Sequence, residues 1–413
     1  MKKSPNKGES MKKIMLSAVV APLFMGGAVT VSAADGITIL DDLKFNGQIR
    51  PRYEYADVKD NGIDAGNAFT VRTTLGVHAK LLGQEGLSTY LEATGVNNFG
   101  GERYAPENAA YDAIADPANG RMTQAYVDYK TGGTLLRVGR QAVNLDDQRF
   151  VGAVDWRQMP QTFNAAAVVN NSVEHLSLLG AYVWERQGVT DALSMNTTSV
   201  LLNAKYTVAD ALAVTGFGYL LGSIHDTYGL RLTGNVNAGA MTLGYEASYA
   251  MQQDASLDYG NNEGPEIDAD YYNIAFDGKV SGVIFGAGYE VLGEADDNST
   301  KGFTTPLATL HKFQGWADVF LGRTAGSNTE GLVDMSAKLG YADKSFGKLL
   351  AVYHKFEAES GANDDLGSEI DLLYATKIPG VNGLNALAKA ALFSKGDTGS
   401  DVEKYWVQLD YKF

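Results

Sequence analysis

The sequence predicts an all-β fold, a transmembrane antiparallel β-barrel of about 18 strands with short periplasmic turns and long extracellular loops. Three observations support this prediction. Apolar and polar residues alternate with a period of two in segments of ten to thirteen residues, these segments recur along almost the whole chain, and the connections between them are alternately short and long. Such segments exceed the usual length of strands in soluble sheets and suit tilted membrane strands of about 9 to 11 residues.

The first segments illustrate the alternation. In KFNGQIRPRYEY, Phe45, Ile49 and Tyr53 share one parity, whereas Gln48 and Arg50 have the other. Successive side chains of a strand point to opposite faces, so each segment presents one apolar and one polar face. A soluble sandwich or propeller does not require an apolar face on nearly every strand. A closed membrane barrel with an even strand number requires an apolar face on every strand. Its closure also removes the strand edges whose backbone groups lipid cannot satisfy.

The connections give an independent indication of a barrel. Short connections are predicted at 83–86, 130–134 and 170–173 and at TVAD, NVNAGA, GKVSG and DKSFGK, and long ones at 56–67, 97–120, 144–161, 185–198, 253–268, 293–330 and 357–367. Short turns on one rim and long loops on the other are typical of bacterial outer-membrane barrels, whose turns are periplasmic.

The N-terminus indicates export. Lys12 and Lys13 precede an apolar run from Ile14 to about Val31, which is followed by small residues at 32–34. This is the layout of a secretory signal peptide, predicted to cover residues 1–33, with Met11 as a possible true start. Residues 34–413 are then the outer-membrane β-barrel.

Composition excludes some partners. The formal net charge is −15, and removal of residues 1–33, which carry +4, leaves about −19. A protein this acidic does not suit nucleic acid. The chain has no cysteine, so its stability cannot depend on disulfides.

The C-terminal stretch YWVQLDYKF predicts the closing strand. Tyr405, Val407 and Leu409 share the apolar parity with the terminal Phe413. An aromatic last residue on the lipid face is similar to the signal by which the barrel-assembly machinery recognises outer-membrane proteins. Lipid and lipopolysaccharide are the other expected partners of the barrel.

An 18-stranded barrel is too wide for side chains to fill, so a water-filled lumen is expected. Ten of the twelve arginines lie between Arg50 and Arg186, several of them on the polar parity of their strands. The second half of the chain offers carboxylates at similar positions. Facing walls of opposite charge select ions in porins. The predicted pore-lining residues are Arg50, Arg52, Arg72, Arg137, Arg140, Arg157, Glu246, Asp334 and Glu369.

The longest connection contains the stretch FTTPLATLHKFQGWADVFLG, residues 303–322, which is too apolar for a solvated loop. It must bury these side chains, and the lumen is the nearest place to do so. We expect this loop to fold inward and narrow the pore, with His311, Lys312, Trp316 and Asp318 as constriction groups. A cap over the rim without a transport role is the alternative.

The segment from Arg137 through Ala165 resembles the alginate export family of outer-membrane barrels, and TTPLATLHKFQGWAD and YWVQLDYKF resemble its porin-like members. The resemblance implies an eighteen-stranded barrel with an arginine-lined channel for an anionic polysaccharide or smaller solutes. The chain departs from the family in its many acidic residues in the second half.

The resulting hypothesis is an outer-membrane porin, a passive channel for small hydrophilic solutes with a preference for anionic or sugar solutes. The alternatives are export of an alginate-type anionic polysaccharide and a non-conducting adhesin or structural barrel. The five histidines are scattered without metal-ligand spacing, so no enzyme, metal or cofactor is predicted.

Overall fold

The computed structural model describes residues 31–32, 38–260, 262, 264–296, 299, 301–326 and 328–413. Within these residues, eighteen antiparallel strands form a closed barrel, which confirms the predicted fold. The strands are β1 (Thr38–Val58), β2 (Gly66–Leu81), β3 (Leu87–Asn98), β4 (Asn119–Thr131), β5 (Thr134–Gln141), β6 (Thr162–Asn170), β7 (Leu176–Gln187), β8 (Met195–Ala209), β9 (Leu212–Leu221), β10 (His225–Ala238), β11 (Met241–Gln253), β12 (Asp268–Val280), β13 (Val283–Leu292), β14 (Leu332–Asp343), β15 (Gly347–Glu357), β16 (Asp365–Lys377), β17 (Leu384–Ser394) and β18 (Val402–Lys412). Each strand pairs with the next, and β18 pairs with β1.

The closing pair of strands is interrupted at a proline. Gln408 pairs with Arg52 and Tyr411 with Ile49, but the two positions between them are unpaired. Pro51 lies at this point of β1 and has no N–H to donate to the ladder. The register continues past it, because Gly47 and Phe413 exchange two backbone hydrogen bonds of 2.8 and 3.1 Å.

The two faces of the strands differ as the alternation predicts. Large apolar side chains are exposed on the outer face, with Ile274 67% and Leu230 59% exposed. On the inner face Arg52, Glu54 and Asp371 are almost fully buried. The outer face is therefore suited to hydrocarbon, and the charged groups lie inside the barrel.

The two rims carry different connections. The loops on the outer rim are L1 (59–65), L2 (99–118), L3 (142–161), L4 (188–194), L5 (222–224), L6 (254–267), L7 (293–331), L8 (358–364) and L9 (395–401). Turns of two to six residues join the strands on the other rim, where the C-terminus lies. L5 is the shortest of these loops, because β9 and β10 are joined as tightly as strands on the turn rim.

The principal hydrophobic core lies inside the barrel. Val151 of L3 and Phe303 and Leu307 of L7 are buried in one cluster with Phe356 and Trp406 of the wall. Phe150 of L3 packs its ring against Phe217, Tyr271 and Phe303. L3 and L7 therefore fold into the lumen and are held there by apolar packing.

Helical structure in the described residues is limited to α1 (Leu321–Ala325) and two short 3₁₀ turns at Asp191–Leu193 and Leu310–Lys312. None of these helices is long or apolar enough to cross a membrane. The predicted signal peptide lies outside the described residues except for Val31–Ser32, which pairs with the start of β1. The boundary at residue 33 stays a prediction.

Candidate functional site

The candidate site is the middle of the lumen, where L2, L3 and L7 meet the inward faces of β1, β2 and β14–β18. The inward position of each wall side chain follows from strand parity. The loop residues reach the lumen because their apolar side chains are buried there. Four of the six arginines predicted to line the pore lie at this level and are buried among the loops, namely Arg50, Arg52, Arg72 and Arg157.

Arg50 and Arg52 of β1 bind the loops. Arg50 donates to Gln158 Oε1 at 2.9 Å and to the carbonyl oxygen of Arg157 at 2.6 Å. Arg52 donates to the carbonyl oxygen of Trp156 at 2.6 Å, and its guanidinium lies 4.1 Å from the centroid of that indole ring. Both side chains therefore fix L3 to the wall and are unavailable to a solute at the surface of the pore.

Arg72 of β2 has a similar role. Its Nη1 donates to Asp155 Oδ1 of L3 at 2.6 Å. Burial alone would raise the pKa of Asp155, but the positive charges of Arg72 and Arg50 hold it below its ordinary value. Asp155 therefore stays ionised and neutralises part of the arginine wall.

Arg157 lies at the centre of the buried charges. Its Nη1 donates to Glu54 Oε1 of β1 at 3.0 Å, and its Nη2 donates to Asp318 Oδ2 of L7 at 2.8 Å. Burial opposes the charged form, but the carboxylates of Glu54, Asp116 and Asp318 raise the pKa of Arg157 above its ordinary value. One guanidinium thus joins L3, L7 and the wall.

His311 of L7 lies between aromatic rings. Its imidazole stacks on Trp156 with a centroid distance of 4.5 Å and an angle of 4°. His311 Nδ1 lies 2.9 Å from Asp318 Oδ1, and Nε2 lies 2.8 Å from Lys389 Nζ of β17. Because the ammonium group can only donate, Nε2 accepts and Nδ1 carries the proton. Burial lowers the pKa of His311 to about 3, and the cation of Lys389 acts in the same direction.

Trp316 and its neighbour Ala317 bring L7 onto an acidic part of the wall. The Ala317 N–H donates to Glu369 Oε1 at 2.7 Å, and the Trp316 N–H donates to Asp371 Oδ2 at 3.2 Å. On the adjacent strands, Asp334 accepts from His354 Nδ1 at 2.8 Å. Glu369 is therefore a buried contact of L7, and Asp334 is a buried contact within the wall.

The other predicted residues lie apart from this cluster. Arg137 pairs with Asp128 across β4 and β5 at 2.7 Å, and Arg140 donates to Asn164 at 2.9 Å. Glu246 accepts from Arg231 at 2.6 Å. The structure therefore does not bring Arg137, Arg140 and Glu246 together with Arg50, Arg52 and Arg72.

Lys312 marks the accessible side of the lumen. Its Nζ donates to the carbonyl oxygen of Asp147 at 2.6 Å, while its side chain remains exposed. Arg231 of β10 bridges Asp147 of L3 and Glu246 of β11. Polar groups of both signs thus line the part of the lumen that the loops leave accessible to water.

Sequence reasoning missed a group of unpaired lysines near the turn rim. They take the inward parity of β8, β12, β15, β16 and β18, and in the described part of the chain none has a carboxylate within salt-bridge distance. The group consists of Lys205, Lys279, Lys348, Lys377 and Lys412, and we call it the lysine vestibule. Four of its members line a cavity of about 800 Å³ together with Asp343 and Asp410.

The sequence does contain a signal for these lysines, because each has the parity of the inward face of its strand. The same criterion predicted that the arginines face the lumen. Lys389 was also missed, although it is the one charged residue within the otherwise apolar run ALAKAALF. Among the described residues there is no group of three or more His, Asp or Glu side chains that could hold a metal ion.

Residues 41–185 match the family model described as alginate export. A comparison with curated proteins finds no similar sequence. The fold is similar to that of Pseudomonas aeruginosa OccK9 (OpdG), with a TM-score of 0.72 at 18% identity over 90% of this chain and 98% of that chain.

Two further solved structures are similar over nearly their whole length. Acinetobacter baumannii OccAB3 has a TM-score of 0.72 at 17% identity, covering 90% of this chain and 99% of that chain. A BenF-like porin from Pseudomonas fluorescens Pf-5 has a TM-score of 0.71 at 14% identity, covering 91% and 99%. The chain therefore shares the β-barrel fold of these proteins, one of which is a porin, and its residues 41–185 are similar to the alginate export family.

Proposed function

We propose that this protein is a passive diffusion channel of the outer membrane for small hydrophilic solutes, with a preference for anions. The observation that carries the proposal is the lysine vestibule, whose five ammonium groups lack carboxylate partners in the described residues. The inward arginines do not carry it, because Arg72 and Arg157 are neutralised by loop carboxylates and Arg50 is buried against L3.

Unpaired charge in a narrow, low-dielectric passage controls which ions enter it. The potential of fixed cations raises the local concentration of anions and lowers that of cations. Paired charges contribute little to such a potential, since the fields of the two partners largely cancel beyond a few ångströms. The turn-rim half of the lumen, rather than the arginine wall, would then set the ion preference.

The test is single-channel recording in planar lipid bilayers. Well-folded protein should give open-channel current, and the reversal potential in a KCl gradient should indicate selectivity for chloride. Absence of current from folded protein would favour the adhesin or structural barrel, and selectivity for potassium would contradict the role given to the lysines.

Export of an alginate-type polysaccharide is the second candidate. The match of residues 41–185 to the alginate export family favours it. OpdK of Pseudomonas aeruginosa, a protein of similar fold, was crystallised with vanillate, a small carboxylate, which favours uptake of a small anion. Block of the current by oligouronates at lower concentrations than by vanillate would favour export, and the reverse order would favour the small-solute channel.

In this proposal the protein transports solutes and catalyses no reaction. It includes two partners of the barrel surface, the assembly machinery and the lipids of the outer membrane, including lipopolysaccharide. The ring of Phe413 is 55% exposed next to Gly47 at the closing pair of strands, where an assembly factor could bind it.

A further inference from the structure

Three of the four tryptophans of the chain surround one ammonium group. Lys389 Nζ lies 3.8 Å from the ring centroid of Trp316, 4.1 Å from that of Trp156 and 5.2 Å from that of Trp406. His311 Nε2 accepts from it at 2.8 Å. Lys389 is 7% exposed and has no carboxylate within salt-bridge distance among the described residues. We call the three indoles and the imidazole the cation cage.

The walls of the cation cage belong to different elements. Trp406 and Lys389 lie on β18 and β17, Trp156 on L3, and Trp316 and His311 on L7. Indole faces attract a cation within about 6 Å of their centroid, and the attraction is stronger when the cation is shielded from water. A cation in this position therefore attracts both loops to the wall at once.

The loops next to the cage carry backbone strain. Val154 of L3, Gln314 of L7 and Asp318 of L7 have φ values of 50°, 51° and 58°. The left-handed region is costly for residues other than glycine and most costly for a β-branched residue such as valine. The inward arrangement persists because contacts with the wall and between the loops hold it, so loss of a central contact favours its release.

We propose that the cation cage is a binding site for an organic ammonium group, that Lys389 is its built-in ligand, and that its occupancy holds the inward part of L7, residues 303–320, closed across the lumen. A vacant cage would let L7 move toward the outer rim. The same indole surfaces would then accept a soluble alkylammonium ion of the size of the lysine head group.

The test uses two readouts on the full-length barrel in lipid. The chain has no cysteine, so Ala308→Cys places a single thiol in L7 at a position that is 3% exposed. Its labelling by a membrane-impermeant maleimide reports L7 opening whether or not the barrel conducts, and bilayer conductance is the second readout. We expect Lys389→Ala to raise the labelling rate at least tenfold and to increase conductance, and millimolar ethylammonium to reverse both effects.

Trp316→Leu serves as a second variant, because it removes the L7 wall of the cage and keeps the lysine. It should open L7 as Lys389→Ala does, but ethylammonium should not reverse the effect. Lys338→Ala is the matched control, since it removes an inward lysine that pairs with Asp277 of the wall and belongs to neither the cation cage nor the lysine vestibule. Unchanged labelling in both Lys389→Ala and Trp316→Leu would overturn the proposal that the cation cage holds L7 closed. Opening of L7 in Lys389→Ala without rescue by ethylammonium would overturn the ammonium site.

Discussion

Arg157 of L3 and Asp318 of L7 form an ion pair inside the barrel, with 2.8 Å between Nη2 and Oδ2. The side chains of both residues are less than a tenth exposed, and the same guanidinium also binds Glu54 of β1. The two loops are thus joined to each other and to the wall by ion pairs that are buried from water.

Replacement of Arg157 by methionine should destabilise the barrel. The substitution keeps much of the side-chain volume but leaves Glu54 and Asp318 as buried carboxylates with fewer cationic partners. Breaking a buried pair in this way costs about 3–5 kcal/mol. We expect the free energy of unfolding to fall by that amount in urea titrations in lipid vesicles, followed by tryptophan fluorescence.

Arg137→Met is the matched control for Arg157→Met. Arg137 pairs with Asp128, but both side chains retain contact with water, with 24% and 14% exposed. Its loss should cost about 1 kcal/mol or less. Equal losses in the two variants would contradict the central role of Arg157.

Neutralising the lysine vestibule should shift ion selectivity. In the double variant Lys348→Gln, Lys377→Gln, two unpaired inward charges are removed, so the reversal potential in a KCl gradient should move toward that of potassium. The control Lys59→Gln, Lys355→Gln removes the same charge at the outer rim, where Lys59 pairs with Asp57 and Lys355 with Asp365. A control shift as large as that of the vestibule variant would contradict the proposal.

The barrel could be predicted from the sequence because alternation and connection length are local properties. The less clear segments were β5, β6 and β7, and for β6 and β7 the structure gives the reason. Phe163 and Val183 face inward on β6 and β7 but are buried in the core formed with L3. Both faces of these strands are therefore apolar, and the period of two is weakened.

The site was predictable only in part. Strand parity places Arg50 and Arg52 inside the barrel, but it does not give their partners. Arg50 binds Gln158, which is 108 residues away in the chain, and that contact depends on how L3 folds back. The cation cage combines residues from L3, L7 and two strands, and no local pattern in the sequence relates Lys389 to Trp156.

Acidification should release L7. The docked loop holds His311 with a pKa of about 3, whereas a solvated histidine has the ordinary value of 6.5. Well above pH 6.5 His311 is neutral in both states, so this histidine does not affect docking. As the pH falls from 6.5 toward 3, the released loop takes up a proton that the docked loop does not, so docking weakens by about 1.4 kcal/mol per pH unit.

The labelling rate of the Ala308→Cys variant measures this effect. It should rise steeply as the pH is lowered from 6.5 to 4.5, after correction for the reactivity of the thiol itself. In the His311→Gln background the corrected rate should vary much less over the same range. A pH dependence that is unchanged by His311→Gln would assign the titration to another group.

The terminal aromatic ring should matter for assembly. Phe413 lies over Gly47, where an added Cβ would collide with the ring. Phe413→Ala removes the proposed recognition group, and Gly47→Val displaces it, so both variants should accumulate less folded barrel in the outer membrane. Phe346→Ala is the control, because Phe346 is an exposed aromatic residue on the same rim, 45% exposed. Normal folded yield, judged by heat-modifiable gel mobility, in both Phe413→Ala and Gly47→Val would exclude this role.

A pair of adjacent substitutions in the middle of β12 tests which face meets lipid. Ile274 is 67% exposed on the outer face, whereas the preceding residue, Asn273, points inward and donates to Glu246. A lysine on the lipid face near the bilayer centre costs about 2–4 kcal/mol, because the ammonium group loses its water. We therefore expect Ile274→Lys to lower the free energy of unfolding in vesicles by that amount and Asn273→Lys to change it by less than about 1 kcal/mol, since its charge faces a wet lumen with a carboxylate nearby. The opposite order of the two effects would mean that the faces are reversed, and equal effects would mean that neither face meets hydrocarbon.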